Sequence, residues 1–159
     1  MGNGHPLSVV VTTKDIAEKF NNGMEYFNSF GGNPVSCAVG KAVLRAVEEE
    51  KMQQNANNIG KYLLHELKEL QSDFSLIGEV RGKGLFIGIE LIKNSSNLSP
   101  ASKEAEKVVN KMKRKKILLS TDGPDHNVIK IKPPMIFNRQ NADELVLKLS
   151  EVLSNIDYE

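Results

Sequence analysis

The stretch VRGKGLFIGIEL, residues 80–91, decides the fold class of this chain. In its second half Leu85, Ile87, Ile89 and Leu91 occupy every other position, which predicts a strand that buries these four residues on one face. Residues 77–80 are also strand-like, and the glycine-rich residues 81–84 separate the two runs. We therefore expect an antiparallel hairpin whose glycines allow close backbone contact.

The same glycines invite comparison with a nucleotide-binding motif, but their spacing and context do not fit. They follow the pattern GxGxxxG, one residue longer than the dinucleotide fingerprint, and they precede a strand. The fingerprint instead follows a strand and opens a helix, whose N-terminus receives the pyrophosphate. A Rossmann-type site is therefore disfavoured.

Helices and further strands are predicted on both sides of the hairpin. Apolar residues at helical spacing predict helices at about residues 14–20, 34–50, 55–70, 99–116 and 141–153. Runs rich in β-branched residues predict strands at 7–13, 117–120 and 128–131. This order indicates a mixed α/β (α+β) fold, in which helices cover a three- to four-stranded, mainly antiparallel sheet. Residues 1 to about 30 fit that layout poorly, and we expect them to be the edge of something else.

The composition disfavours several classes of partner. The chain has 21 Lys and Arg and 20 Asp and Glu, so its net charge is close to zero. The charge balance therefore gives no reason to expect nucleic acid or an anionic membrane as a partner. The basic run KMKRKK, residues 111–116, complements the dipole at the end of a helix, with a phosphate-binding patch as the alternative.

The three histidines lack the spacing of a metal site, so no metal is expected. No apolar run is long enough to cross a membrane, and Cys37, which lies among small apolar residues, is expected to be buried.

The best candidate for an anion site is NSFGGNP, residues 28–34. Asn33 is a good N-cap and Pro34 suits the first helical position, so a helix is expected to begin there. A serine hydroxyl, two glycine amides and a helix N-terminus then lie together, an arrangement that receives a phosphate or a carboxylate. A glycine-rich turn that only caps the helix is the alternative. The opening residues MGNGHP, 1–6, also have the composition of a turn.

Five stretches spread over the whole chain are more specific together than any one of them alone. In chain order they are GNGHP (2–6), YFNSFGGNPVSCAVG (26–40), VRGKGLFIGIEL (80–91), LLSTDGP (118–124) and IKIKPPM (129–135). Together they resemble the carboxyl-terminal part of the class-III aminotransferases, which are pyridoxal-phosphate (PLP) enzymes of fold type I. The likeness is greatest to the alanine–glyoxylate aminotransferase-like branch, which includes phospho-lyases acting on ethanolamine phosphate or 5-phosphohydroxylysine. The resemblance implies that residues 1–33 are a remnant of the large PLP-binding domain and that residues 34–159 are the small domain.

The resemblance implies roles for four residues. Ser29, with Phe30 and Gly31, is implied to bind the PLP phosphate of the other subunit of a homodimer; the family usually has threonine at this position, and serine keeps the hydroxyl. Lys130 stands where typical transaminases of the class carry an arginine that grips the substrate's α-carboxylate. Because lysine cannot reproduce the bidentate geometry of a guanidinium, an ordinary α-amino acid is disfavoured as substrate. Ethanolamine phosphate suits Lys130 and 5-phosphohydroxylysine fits it less directly, with a purely solvent-facing lysine as the alternative.

The family's Schiff-base lysine is implied to lie immediately upstream of Met1. No lysine of this sequence matches that position, so no catalytic residue is predicted within the chain and the chain alone is expected to be inactive. The activity expected of a full-length parent is release of phosphate, ammonia and an aldehyde from a small phosphorylated amine. A class-III transaminase of the alanine–glyoxylate type and a non-catalytic dimerisation fragment are the alternatives. The resemblance implies a mitochondrial or cytoplasmic location, and no targeting segment is recognised in the sequence.

Overall fold

The computed structural model describes residues 1–156 and divides the chain into two compact units, Met1–Lys51 and a second that begins at Met52. The domain boundary predicted between residues 33 and 34 concerns a complete enzyme and stays a prediction.

The first unit contains two helices, α1 (Lys14–Phe20) and α2 (Pro34–Glu49). The start of α2 is as expected, because the Asn33 side chain accepts a hydrogen bond from the Ser36 amide at 2.8 Å. The turn predicted at the beginning of the chain is also present. The amide of His5 donates to the carbonyl of Gly2 at 3.1 Å, and Asn3 and Gly4 between them have φ of 49° and 100°, as a type I′ turn requires.

Two expectations for the first unit are wrong. Residues 7–13 are not a buried strand: they pair with no other strand in the described part of the chain, and Val10 and Val11 are 91% and 90% exposed. β-Branched residues favour a strand only where a neighbouring strand and a packed face are available. Cys37 is exposed rather than buried, because the apolar stripe of α2 has no cover within this unit, where Val35 is also exposed.

The second unit is an antiparallel sheet covered by helices. Its strands are β1 (Ile77–Lys83), β2 (Phe86–Asn94), β3 (Ser99–Pro100), β4 (Ser120–Asp122) and β5 (Val128–Ile131), and its helices are α3 (Met52–Asp73), α4 (Ser102–Arg114) and α5 (Arg139–Leu153). The strand order is β1-β2-β5-β4, and β3 also pairs with β2. The mixed α/β fold with an antiparallel sheet is therefore confirmed; within residues 52–156 the sheet has five strands, where three or four were expected, because the two-residue β3 is added.

One face of the sheet forms the core, as the alternating pattern of residues 85–91 predicts. The inward residues of β2 and β5 pack with the apolar faces of the three helices in a single cluster that includes Ile87, Ile89, Leu91, Ile129, Ile131, Leu63, Leu67, Val108, Met112, Leu145 and Leu149. Side chains alternate along a strand, so the opposite face, here called the open face, carries Arg81, Lys83, Phe86, Gly88, Glu90, Asp122, Val128 and Lys130. This face contains most of the sheet's charged groups.

The turn of the β1–β2 hairpin is fixed by a close backbone approach to α3. A Cβ added to Gly60 would lie 2.1 Å from the carbonyl oxygen of Gly84. Gly84 itself has a φ of 57°, in the left-handed region that favours glycine. The two glycines together allow α3 to pack directly against the hairpin turn, which confirms the expectation of close backbone contact.

Two local predictions need correction. Helix α4 begins at Ser102, because residues 99–100 pair with β2 instead of opening the helix. Strand β4 covers residues 120–122 and not 117–120. Here the amide of Ile117 donates to the carbonyl of Met112, and Lys116 has a φ of 66°, so the residues after α4 close the helix C-terminus before the strand begins. Glu104 of α4 is only 1% exposed, and the Lys93 ammonium lies 3.5 Å from its Oε1.

Candidate functional site

The loop predicted as an anion site, residues 28–33, is held together by its own hydrogen bonds. The amide of Phe30 donates to the side-chain Oδ1 of Asn28 at 3.0 Å. The amide of Gly31 donates to the carbonyl of Asn28 at 2.9 Å, and that of Gly32 to the carbonyl of Phe30 at 2.8 Å. The expectation of two free glycine amides is therefore wrong, because the asparagine-led turn already uses them.

What the loop does offer to a ligand is the Ser29 hydroxyl. No hydrogen-bond partner for this hydroxyl is found in residues 1–156, and the side chain is exposed. Phe30 beside it is 97% exposed, and Tyr26 and Phe27 are also exposed. The loop borders an open groove of about 920 Å³ that Leu7 and Cys37 also line. One free hydroxyl fits a single contact to a phosphate that other residues hold, and it does not fit a complete phosphate cradle.

A hydrogen-bonded network that the sequence did not reveal lies in the same groove. The side-chain amide of Asn33 donates to Ser36 Oγ at 3.0 Å, and Ser36 Oγ lies 2.8 Å from His5 Nε2. The hydroxyl accepts from Asn33, and its remaining lone pair and proton allow it either to accept from His5 Nε2–H or to donate to an unprotonated Nε2. The network ties the opening turn to the start of α2, and its 31-residue sequence separation explains why no local motif signals it.

Lys130, the residue implied to contact substrate, lies on the open face of the second unit. Its Nζ is 2.8 Å from Asp122 Oδ2, a carboxylate on the neighbouring strand β4. The side chains of Lys130 and Asp122 are 34% and 56% exposed. The hydrogen bond from Lys130, and a second one from the Gly123 amide, lower the pKa of Asp122 below its ordinary value of 3.8. Lys130 is thus neither free nor simply solvent-facing, because it is half of a partly exposed ion pair.

A cleft of about 370 Å³ opens beside this pair. Arg81, Lys83, Phe86, Asp122 and Lys130 line it. Across the cleft Arg81 Nη1 contacts Glu79 at 2.6 Å and Glu90 at 2.5 Å, and these two carboxylates raise the pKa of the guanidinium, Glu90 contributing most. The cleft therefore presents positive and negative groups side by side, a mixed arrangement suited to ligands that carry both charges.

The candidate residues fall into two groups. Ser29, Phe30 and Gly31 lie together in one loop of the first unit, and Lys130 lies in the second unit. No cluster of His, Cys, Asp and Glu that could hold a metal ion is found in residues 1–156. Within the same residues no helix is both long and apolar enough to span a membrane.

Comparison with known proteins gives a consistent family. The model of the family "Aminotransferase class-III" matches residues 1–153. "Alanine--glyoxylate aminotransferase 2-like" of Drosophila melanogaster is 53% identical over 161 residues, 100% of this chain and 33% of that protein. "Ethanolamine-phosphate phospho-lyase homolog 1" of Caenorhabditis elegans is 41% identical, over 97% of this chain and 33% of that protein. "Alanine--glyoxylate aminotransferase 2 homolog 2, mitochondrial" of Arabidopsis thaliana is 40% identical, over 98% of this chain and 32% of that protein.

Solved structures agree with these relatives. A phospholyase from Arthrobacter, in complex with phosphoethanolamine, superposes with a TM-score of 0.93 and 38% identity, over 99% of this chain and 37% of that chain. An amine transaminase from an uncultivated Pseudomonas species, in its PLP-bound form, superposes with a TM-score of 0.79 and 29% identity, over 91% of this chain and 34% of that chain. The chain thus spans about a third of the length of the curated relatives that it matches. The family and the PLP-bound neighbour support PLP as cofactor, and the chain belongs to the class-III aminotransferases of fold type I.

Proposed function

We propose that this chain is the carboxyl-terminal third of a PLP-dependent phospho-lyase, with residues 1–33 ending the large domain and residues 34–159 forming the small domain. The observation that carries the proposal is the match to the Arthrobacter phospholyase, which extends over 99% of the chain. The phospho-lyase homologue of Caenorhabditis elegans supports it.

The proposed substrate is a small phosphorylated amine, either ethanolamine phosphate or 5-phosphohydroxylysine. With ethanolamine phosphate, the C–O bond to phosphate and the C–N bond both break, and one water is consumed to give acetaldehyde, ammonia and inorganic phosphate. PLP supplies the electron sink that makes the proton next to the amine removable. The base that removes this proton is proposed to be the lysine that the family resemblance implies upstream of Met1, in the full-length enzyme.

The contribution of the first unit is proposed to be the Ser29 hydroxyl, which donates a hydrogen bond to the cofactor phosphate of the other subunit of a homodimer. Its support is the free, exposed hydroxyl, flanked by the exposed ring of Phe30. Tyr26 and Phe27 are also exposed, and a group of exposed aromatic residues, unlike a single one, is typical of a surface that another chain covers. Phe30 and Gly31 shape the loop, since the Gly31 amide is already used within it.

The contribution of the second unit is proposed to be Lys130, which replaces the carboxylate-gripping arginine of ordinary transaminases. Its ammonium is a point charge that already has a carboxylate neighbour at 2.8 Å. A lone α-carboxylate therefore finds neither a bidentate fork nor an unpaired cation here. This disfavours transamination of simple α-amino acids.

The proposal is tested by titrating PLP into full-length apoprotein. Because a hydrogen bond to a charged group contributes about 1.5–3 kcal/mol, Ser29→Ala should raise the Kd for PLP by roughly tenfold or more. Ser29→Thr keeps the hydroxyl and should bind PLP as the parent does. Ser95→Ala, which changes an exposed serine in the turn after β2, is the matched control. Equal PLP affinity for Ser29→Ala and the parent would refute the role given to this residue.

A class-III transaminase of the alanine–glyoxylate type is the second candidate, because relatives in Drosophila and Arabidopsis bear that name. Pyruvate formation from alanine and glyoxylate, without phosphate release from either phosphorylated amine, would favour it. A non-catalytic dimerisation partner is a further possibility, favoured by the exposed rings of Tyr26, Phe27 and Phe30. Co-purification of an inactive 159-residue chain with the full-length subunit would support it. A mitochondrial location is proposed from the name of the Arabidopsis relative and is tested by cell fractionation.

A further inference from the structure

A glycine lies at the centre of the open face. In the register of the sheet, Gly88 of β2 is paired with Arg81 of β1 on one side and with Lys130 of β5 on the other. Neighbouring strands lie about 4.8 Å apart, so the two cationic residues are anchored roughly 10 Å apart across a position without a side chain. The 370 Å³ cleft occupies this gap.

Arg81 and Lys130 differ in the number of carboxylates that they contact. Arg81 contacts two carboxylates, those of Glu79 and Glu90. Lys130 contacts one, that of Asp122, and both members of this pair are partly exposed to the cleft. Lys83 also lines the cleft and contacts no carboxylate among residues 1–156, whereas the Lys130–Asp122 pair presents a positive and a negative group side by side to a ligand.

A ligand with one charge interacts poorly with such a pair. A carboxylate that approaches Lys130 also approaches the like charge of Asp122, and a lone ammonium that approaches Asp122 meets Lys130. A ligand that carries an ammonium and a carboxylate on the same carbon can face both residues, so that each charge meets its opposite. The lowered pKa of Asp122 keeps its carboxylate ionised at neutral pH.

We propose that Asp122 and Lys130 form a specificity site for a zwitterionic α-aminocarboxylate head, so that the preferred substrate carries this head at the end opposite its phosphorylated amine. The inference rests on the proposed phospho-lyase function and selects between its two substrates. 5-Phosphohydroxylysine has such a head, and ethanolamine phosphate does not. Asp122 adds a negative charge that can face the α-ammonium, whereas Lys130, the residue that the sequence indicates, offers only a positive charge.

The first test compares phosphate release from the two substrates by full-length holoenzyme. Asp122→Asn removes the negative charge and keeps one side-chain oxygen, which can accept either the Lys130 or the Gly123 hydrogen bond, since these end on different oxygens of Asp122. It should lower kcat/KM for 5-phosphohydroxylysine about tenfold more than it changes kcat/KM for ethanolamine phosphate. Asp125→Asn, which removes the same charge from an exposed residue of the same turn, should change neither value.

The second test uses inhibition by unphosphorylated analogues of the head group. L-Lysine should inhibit more strongly than 6-aminohexanoate, which lacks the α-ammonium, and than pentane-1,5-diamine, which lacks the carboxylate. Asp122→Asn should abolish the advantage of lysine over 6-aminohexanoate. Equal inhibition by the three compounds would overturn the inference.

The outcomes separate the inference from the function on which it rests. Phosphate release from ethanolamine phosphate but not from 5-phosphohydroxylysine would overturn the zwitterion site and leave the phospho-lyase function in place. Equal losses of kcat/KM for both substrates in Asp122→Asn would also overturn the zwitterion site, because they would show that Asp122 has only a structural role. Phosphate release from neither substrate would refute the proposed function itself.

Discussion

Replacing Gly60 with alanine tests the packing that positions the hairpin and, through it, the cleft. The new Cβ would lie 2.1, 2.3 and 2.6 Å from the carbonyl oxygen, carbonyl carbon and Cα of Gly84. All three are backbone atoms of a turn residue with a φ of 57°, so no side chain can rotate away and either α3 or the turn must move. Overpacking of this kind costs about 3 kcal/mol, at the upper end of the usual range. Alanine returns about 1 kcal/mol through its higher helix propensity, which leaves a net loss of about 2 kcal/mol.

The assay is urea unfolding of the 159-residue chain, followed by the helical circular-dichroism signal. Gly60→Ala should lower the free energy of unfolding by about 2 kcal/mol with little change in the denaturant slope. The control is Asn58→Ala, an exposed position of the same helix, where alanine should stabilise by about 0.5 kcal/mol. A Gly60→Ala chain as stable as the Asn58→Ala chain would show that α3 and the hairpin turn are not in contact as described.

Three further predictions concern a cap and two titrations. Asn33→Ala removes the N-cap of α2 and should destabilise the first unit by about 1 kcal/mol in thermal unfolding; an unchanged midpoint would contradict the capping role. Because the folded pKa of Asp122 is lowered, its contribution to stability is present above the unfolded value of 3.8 and is lost as pH falls through the folded value. Parent chain should therefore lose more stability than Asp122→Asn when urea unfolding is repeated from pH 5 downwards, and parallel pH profiles would contradict this. The hydrogen bond to Asp143 raises the pKa of Tyr62 above 10.0, so an ultraviolet titration of Asp143→Ala should show this phenol ionising at lower pH than in the parent, and superimposable curves would argue against the bond.

Elements with a strong local signal could be predicted from sequence. Leu85, Ile87, Ile89 and Leu91 alternate, and all four are buried. The N-cap of α2 at Asn33 follows from one residue and the proline after it. In both places the local pattern agrees with the tertiary environment, which is why the prediction succeeded.

Features that depend on distant residues could not be predicted. Residues 7–13 have strand composition, but a strand needs a neighbour, and their propensity says nothing about one. Glu104 would be expected on the surface because charged side chains are rarely buried, yet the fold encloses it 3.5 Å from Lys93.

In the candidate site, the sequence supplied Ser29 and Lys130 but not their surroundings. The free glycine amides expected around Ser29 are used by the turn that Asn28 organises. The pairing of Lys130 with Asp122 arises from the register of β4 on β5, which the sequence does not specify. This pairing changes the interpretation of Lys130 from a weak replacement for arginine to half of a two-charge site.

The central claim, phospho-lyase activity, is tested most directly by the stoichiometry of products from full-length enzyme loaded with PLP. Inorganic phosphate and ammonia are measured in the same reaction, with ethanolamine phosphate or 5-phosphohydroxylysine as substrate and no amino acceptor present. We expect release of both products at a one-to-one ratio with at least one substrate. No phosphate release from either substrate, together with pyruvate formation when alanine and glyoxylate are supplied, would contradict it.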